Sequence, residues 1–262
     1  MSHRCETTSH LAMRVATRTE EVDGPGGDFS RALETAPDRL VLVVGDVTGH
    51  GARAARYRST LTERLAGLPR VASQQGACAA HVLEAINLAV QGRWPSDILA
   101  GMVCIDVDAR RRRASIAVGG HLPPVFKSIR GARVLPVSIG PAVGMFPDAR
   151  YVETSLDLTD GGVLVVATDG ISDVFTAAED PLGLSALESS IARAPGEPEG
   201  LCTFVFEHAA RRGALKDDAT IVALELLPRT LPRRLTALPW TITEGAGSTR
   251  RPSGLPPAAR QH

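Results

Sequence analysis

The run "RLVLVVGDV", Arg39 to Val47, limits the fold more than any other stretch. Its apolar residues are continuous rather than alternating, as expected for a strand covered on both faces. It ends on a glycine and an aspartate, and after Gly51 the period becomes helical. Ala54, Tyr57, Leu61 and Leu65 fall at i, i+3, i+7 and i+11, while Arg53, Arg56, Arg58 and Arg64 mostly avoid that stripe.

The other elements follow from the same signals. Leu11 to Val22 reads as a first strand, and "DGPGGDF" as a turn. A second helix fits Ala77 to Gln91, with Val82, Ala85, Ile86, Ala89 and Val90 on one face, and "GRWP" breaks it. Ile98 to Asp108 and "ASIAVGG" read as a hairpin with a charged tip, and "PPVFKSIRGARVLPV" as another turning at Gly131. Strands Arg150 to Leu158 and Val163 to Thr168 come next, then helices Leu184 to Ile191 and Leu201 to Arg211. "TIVALELL" closes as a strand, Thr220 to Leu227. This is not a regular βαβα alternation, so a mostly antiparallel sheet with helices packed outside fits better than a doubly wound parallel one.

With 262 residues and 44% hydrophobic content the chain can bury one large core. A formal net charge of zero and 4% aromatics give no support to a nucleic-acid or anionic-membrane partner. No run approaches the roughly 18 apolar residues of a membrane helix, and "MSHRCETTSH" lacks a signal-peptide core, so a cytoplasmic protein is expected. Cys5, Cys78, Cys104 and Cys202 are scattered, with no CxxC pair, and read as buried free thiols rather than disulfides or a metal site. From Pro228 onward Pro, Arg, Ser and Gly dominate. Residues 228–262 are expected to be a disordered tail, with "ALPWTI" around Trp240 as a candidate docking segment.

Four aspartates stand where strands meet loops. Asp46 ends "LVLVVGD", Asp169 follows "GVLVVAT", Asp217 and Asp218 precede "ATIVALEL", and Asp28 ends "GPGGD". Each alone is explained by turn dipeptides or helix caps. Together they suggest a cation site, because carboxylates at apolar strand ends are costly unless paired or metal-bound. Oxygen-only ligation suits Mg²⁺ or Mn²⁺, and such ions could activate water and polarise a phosphoryl group.

The ordered set "GGDF", "GDVTGHG", "VGGHLPP", "TDGISD" and "DDAT", from about Asp28 to Leu226, resembles the metal-dependent serine/threonine phosphatases of the PPM (protein phosphatase 2C-like) superfamily, in the bacterial branch of SpoIIE and the sigma-B regulators. The resemblance implies an α+β fold: a four-layer α/β/β/α sandwich of two mostly antiparallel sheets packed face to face, with helices on both outer faces. The phosphatase domain is expected at 11–227, after a flexible N-terminus at 1–10. The resemblance implies two Mn²⁺ or Mg²⁺ ions holding a water that attacks phosphoserine or phosphothreonine without a phosphoenzyme. Asp46 matches the aspartate bridging the metals, the Val47 carbonyl the main-chain ligand, and Asp169 and Asp217 ligands of one ion. Asp28 matches the acid reaching the metals directly or through water, with Asp218 ranked behind Asp217. The branch commonly acts on STAS-type anti-sigma-factor antagonists, which implies that substrate class.

The chain departs from the pattern in places. Ser30 and Arg31 follow "GGDF" where relatives carry an aspartate, and Thr48 stands where many eukaryotic relatives have a histidine. The phosphate-gripping arginine is not placed, with Arg14 and Arg18 on the right strand. His50 either caps a helix or offers an anion site. His121 in "GGHLPP" either shapes a turn or lies near substrate. Asp173 either orders the site or is a plain helix-start acid. Arg110 to Arg113 read as a solvated hairpin tip, with docking of an acidic partner as the alternative. Two other functions stay open: a non-catalytic scaffold that binds a phosphoprotein, and an unrelated metal-dependent hydrolase of small phosphoesters. No GxSxG elbow supports a serine hydrolase.

Overall fold

The computed structural model describes residues 3–10, 12–22, 24–67 and 78–227. The tail expected to be disordered at 228–262, with Trp240, lies outside the described residues. Residues 3–10 are described as backbone only.

One sheet has the order β1 (His3–His10), β2 (Met13–Glu20), β12 (Ala219–Leu226), β11 (Gly162–Ala167), β7 (Val125–Ser128), β8 (Gly131–Val134). The other runs β10 (Thr154–Asp157), β6 (Arg113–Gly119), β5 (Ala100–Asp108), β4 (Arg39–Val47), β3 (Phe29–Ala36). Neighbours are antiparallel throughout, except that the two-residue β9 (Ile139–Gly140) pairs parallel to β6.

The continuous apolar run of β4 is explained by burial on both faces. Leu40, Leu42 and Val44 point between the sheets, against Val103, Ile105, Leu164, Val166, Val222 and Leu224. Val41 and Val43 point outward, against Leu61 and Leu65 of α1 (Gly51–Leu65) and Leu83 and Ile86 of α2 (Ala79–Val90). The other sheet's outer face packs Ala16, Val163, Val165, Ile221 and Ala223 against α4 (Leu184–Arg193) and α5 (Pro198–Arg212). Between these pairs lies one helical turn, α3 (Asp169–Ser172). The three apolar layers make the expected four-layer sandwich, and each fully buried leucine contributes about 2 kcal/mol.

Several local expectations are corrected. Residues expected to form a flexible N-terminus form β1, paired along its whole length with β2. An edge strand is held by its backbone ladder, so the polar "HRCETTSH" carries no apolar signal. No element was expected over β3. It too is an edge strand, half-exposed and irregular between Glu34 and Ala36. On α2 the buried face takes in Leu83 and Asn87, while Ala85 is exposed. Asn87 is tolerated there because its amide donates to Phe146 O (2.8 Å) and its carbonyl accepts from Gly144 N–H (2.8 Å).

The arginine run is not uniformly solvated. Arg110 and Arg111 are exposed and pair with Asp38 and Asp108. Arg112 is buried, with φ 52°, and donates to Leu158 O (3.1 Å) and Leu227 O (2.9 Å). Asp106 pairs with Arg39 from the neighbouring strand, not with the run. Among the described residues Cys78, Cys104 and Cys202 form no disulfide; Cys104 and Cys202 are buried and Cys78 is half-buried. Cys5 lies outside the residues whose side chains are described. Among the described residues no helix is long and apolar enough to cross a membrane.

Candidate functional site

The space between the sheets changes character toward one end. Along each strand the side chains of one face recur every second residue. In β4 that inward row reads Leu40, Leu42, Val44, then Asp46. In β12, read backwards, it is Leu226, Leu224, Val222, then Thr220 and Asp218. β11 gives Leu164, Val166, then Thr168, and β2 gives Met13, Val15, then Thr17 and Thr19. Apolar rows from both sheets turn to hydroxyls and carboxylates at the same end. Beside Asp46 in the ladder stands Gly101, which puts no side chain there.

The "GPGG" turn closes this end. A Cβ on Gly26 would overlap the Asp218 carboxylate, and one on Gly27 would overlap Asp46 Oδ1 and the Val47 carbonyl. Only glycine lets the loop run this close, and Val47 N–H donates to Gly27 O (3.2 Å). The glycine of "TDG" is needed likewise, since a Cβ on Gly170 would strike the Asp218 carbonyl. These contacts bring the "GGD", "GDV", "TDG" and "DDAT" segments together.

The buried Asp28 accepts a hydrogen bond at Oδ2 from Thr168 Oγ1 (2.8 Å), and Thr168 Oγ1 accepts from Thr220 N–H (2.9 Å). The buried Asp218 accepts from Val22 N–H (2.9 Å), and Asp217 Oδ1 accepts from Asp218 N–H (2.8 Å). Asp46 is half-buried, whereas Asp169, Asp173 and Asp217 are exposed.

The charges are crowded. Burial and the carboxylates of Asp169, Asp217 and Asp218 push Asp46 up to about 8, against a smaller opposing pull from Val47 N–H. Burial, then Asp46, raises Asp28 well above the ordinary carboxylate range, although the Thr168 and Thr220 hydroxyls pull it back. Partial desolvation, then Asp173 and Asp217, raises Asp169. Burial raises Asp218, as do Asp217 and Glu21, while Val22 N–H and the Arg58 guanidinium oppose the shift. Asp28, Asp46, Asp169, Asp217 and Asp218 are thus one electrostatic unit, joined at its edge by Asp173.

The histidines stand apart. His50 is exposed at the N-cap position of α1, and its side chain makes no capping bond. His121 lies past the end of β6, two strands from Asp46 across the β4–β5–β6 ladder. Its Nδ1 contacts Leu122 O (2.9 Å), its Nε2 is buried without a partner, and burial lowers its pKa. Thr48 staples the loop before α2's following strand: Thr48 N–H donates to Leu99 O (2.9 Å) and Thr48 Oγ1 accepts from Leu99 N–H (2.7 Å). Both candidate phosphate-gripping arginines point away. They share the strand parity of Ala16, which faces the outer helices. Arg14 pairs with Glu225 (2.6 Å) and Arg18 lies over the Phe206 ring (4.8 Å). Sequence reading missed Thr168, Thr220 and Arg58. Extending the period-two rows past the apolar residues finds both threonines.

Among the described residues no three His, Cys, Asp or Glu side chains are arranged to hold one metal ion by themselves. The donor set still fits hard divalent ions. Mg²⁺ keeps much of its water shell and takes one or two carboxylates, and a main-chain carbonyl such as that of Val47 is a suitable oxygen ligand. The crowding that lifts Asp46 is what a bound cation would relieve.

Comparison with known proteins agrees with this arrangement. Residues 36–227 match the family model of stage II sporulation protein E (SpoIIE). Phosphoserine phosphatase RsbP of Bacillus subtilis is 26% identical over 151 residues, covering 56% of this chain and 36% of RsbP. The chain spans about a third of the length of the curated relatives it matches. The PP2C phosphatase domain of SpoIIE from Bacillus subtilis superposes with a TM-score of 0.69 at 18% identity, covering 88% of this chain and 70% of that one. RsbX in complex with magnesium superposes with a TM-score of 0.63 at 14% identity, covering 85% of this chain and all of that one. The fold is that of these phosphatase domains, and the chain belongs to the SpoIIE family.

Proposed function

We propose that this chain hydrolyses phosphoserine and phosphothreonine in a protein substrate, using two Mn²⁺ or Mg²⁺ ions. The observation that carries the reading is the convergence of Asp28, Asp46, Asp169, Asp217 and Asp218 at one end of the sandwich, with Asp46 lifted to about 8 by its neighbours. The activity in RsbP's name and the magnesium bound to RsbX support it. Ions bound there would activate a water and polarise the phosphoryl oxygens.

The chain's own residues have distinct tasks. Asp46, once ionised, would hold the ions from the end of β4, and the Val47 carbonyl would add a neutral oxygen ligand beside it. Asp169 and Asp217, exposed at the mouth, would hold one ion, and Asp173 adds negative charge beside Asp169. Asp28, anchored by Thr168, would reach the ions directly or through water. Asp218 keeps the Gly26–Gly27 turn against Asp46. The physiological substrate is a phosphorylated STAS-type anti-sigma-factor antagonist in the cytoplasm.

The test is turnover of para-nitrophenyl phosphate and a phosphoserine peptide, with Mn²⁺ or with chelator, for the wild type and Asp46→Asn. Metal-dependent turnover lost in the variant is expected. Ser30 and Arg31, in place of an acidic residue after "GGDF", favour a second reading, a scaffold that binds phosphoproteins without hydrolysing them. Retained phosphoprotein binding with no turnover under any metal would establish that reading instead.

A further inference from the structure

A cavity of about 420 Å³ opens between β2, β3 and α1, and Asp28 joins it to the carboxylate cluster. Its walls are polar. Thr17, Thr19, Ser30, Ser59 and Thr62 bring hydroxyls, and Arg31 and Arg58 bring guanidinium groups. The two acids on its wall are already engaged, Glu21 by Arg58 and Asp28 by Thr168. The cavity therefore offers donors and positive charge next to a cluster of negative charge.

Arg58 is fixed in place. It is about a quarter exposed, and its Nη1 donates to Glu21 Oε1 (3.1 Å) and to Asp28 O (3.3 Å). Among the described residues neither its Nε nor its Nη2 has a hydrogen-bond partner. A guanidinium tied through one nitrogen keeps the rest of its fork for a planar or tetrahedral oxyanion. Arg58 also acts electrostatically on Asp218, so it stands at the edge of the carboxylate cluster. Arg14 and Arg18, engaged on the outer face, leave this position unfilled.

We propose that Arg58, from α1, binds the substrate's phosphoryl group, with the hydroxyls around it receiving the remaining oxygens. The proposal rests on the phosphatase reading above. Glu21 is its internal competitor: it positions the guanidinium and must share it when an anion arrives. Arg31, exposed at the rim, carries charge but makes no such contact.

The test uses the Mn²⁺-loaded chain, with inorganic phosphate as the calorimetric probe and a phosphoserine peptide for kinetics. Arg58→Ala is expected to weaken phosphate binding and lower kcat/KM by about tenfold or more, the loss of one charge-assisted contact. Arg58→Lys restores part of both, Arg31→Ala stays within about twofold, and Mn²⁺ affinity is unchanged in all three. Glu21→Gln separates binding from support. It is expected to tighten phosphate about threefold with Arg58 present, and by clearly less in an Arg58→Ala background. A purely structural Arg58 would instead make Glu21→Gln weaken both stability and turnover. If Arg58→Ala does not fold, Arg58→Lys and Glu21→Gln carry the decision. Turnover by the wild type with phosphate affinity indifferent to Arg58 overturns the assignment and leaves the phosphatase reading standing. Arg58-dependent phosphate binding without turnover does the reverse.

Discussion

Replacing Asp46 with asparagine in the metal-free chain should make the fold more stable while abolishing its activity. Burial and three neighbouring carboxylates hold Asp46 at about 8, against 3.8 for the free side chain. At roughly 1.4 kcal/mol per pH unit, this gap sets a ceiling of about 6 kcal/mol on the cost of ionising Asp46 in the fold. Asp46 is only half-buried and water screens part of the repulsion, so about 2 kcal/mol is expected at pH 8. For a domain of this size that is about 4–8 °C in Tm. The sign follows from proton uptake. Between about pH 4 and pH 8 the folded carboxyl keeps a proton that the unfolded chain has lost, so this group's contribution to stability falls as pH rises. Asparagine has no such dependence. Thermal melts followed by circular dichroism in chelator should therefore show the variant ahead at pH 8, with its lead shrinking toward pH 5. Saturating Mn²⁺ should reverse the order, because the wild type gains binding free energy that the variant cannot. A variant no more stable at pH 8 in chelator, or a lead that does not change with pH, refutes the crowding argument.

The same proton competes with the metal. Apparent Mn²⁺ affinity should rise by up to about tenfold per pH unit between pH 6 and pH 8, with up to about one proton released per chain. Calorimetry in buffers of different ionisation enthalpy measures this, and a pH-independent affinity contradicts it. Gly27→Ala places a methyl against Asp46 Oδ1 and the Val47 carbonyl and should cost about 2 kcal/mol or more, together with Mn²⁺ binding. Gly196→Ala, with nothing within 4 Å, is the neutral control in the same urea titration. Arg112→Ala leaves the Leu227 carbonyl without its Arg112 donor and takes one of two donors from the Leu158 carbonyl, which keeps Gly161 N–H, and should cost about 2 kcal/mol in urea unfolding, with Mn²⁺ affinity unchanged.

How much of this was legible depends on which physical signal each residue carries. The strands β4, β11 and β12 announce themselves because burial on both faces demands continuous apolar runs. The edge strands β1 and β3 do not, because a backbone ladder holds them whatever their side chains. The four arginines from Arg110 to Arg113 are alike in sequence. Only the turn geometry, with φ 52° at Arg112, decides which of them is buried. Strand parity does tell where Arg14 and Arg18 point, because Met13 and Val15 define the inward row and leave both arginines outside. Arg58 could not have been found this way. It lies on α1 near the buried stripe, and only the packing of that helix over β3 and β4 brings it to the carboxylates.

The convergence of the aspartates also has a topological cause that the sequence records. β11 and β12 are antiparallel neighbours, so the end of one lies beside the start of the other. For two carboxylates to meet there, one must follow its strand and the other must precede its strand. Asp169 does follow β11, and Asp217 and Asp218 do precede β12. Asp46, by contrast, comes at the end of β4 in the opposite sheet. In a parallel sheet the acids would all follow their strands, so this after-and-before placement argues for antiparallel pairing before any pairing is known. Apolar packing then sets how far inside the acids can sit. Each inward row gives way to threonine or aspartate only after its last buried aliphatic residue, so the carboxylates lie at the rim of the core, within reach of both cations and solvent.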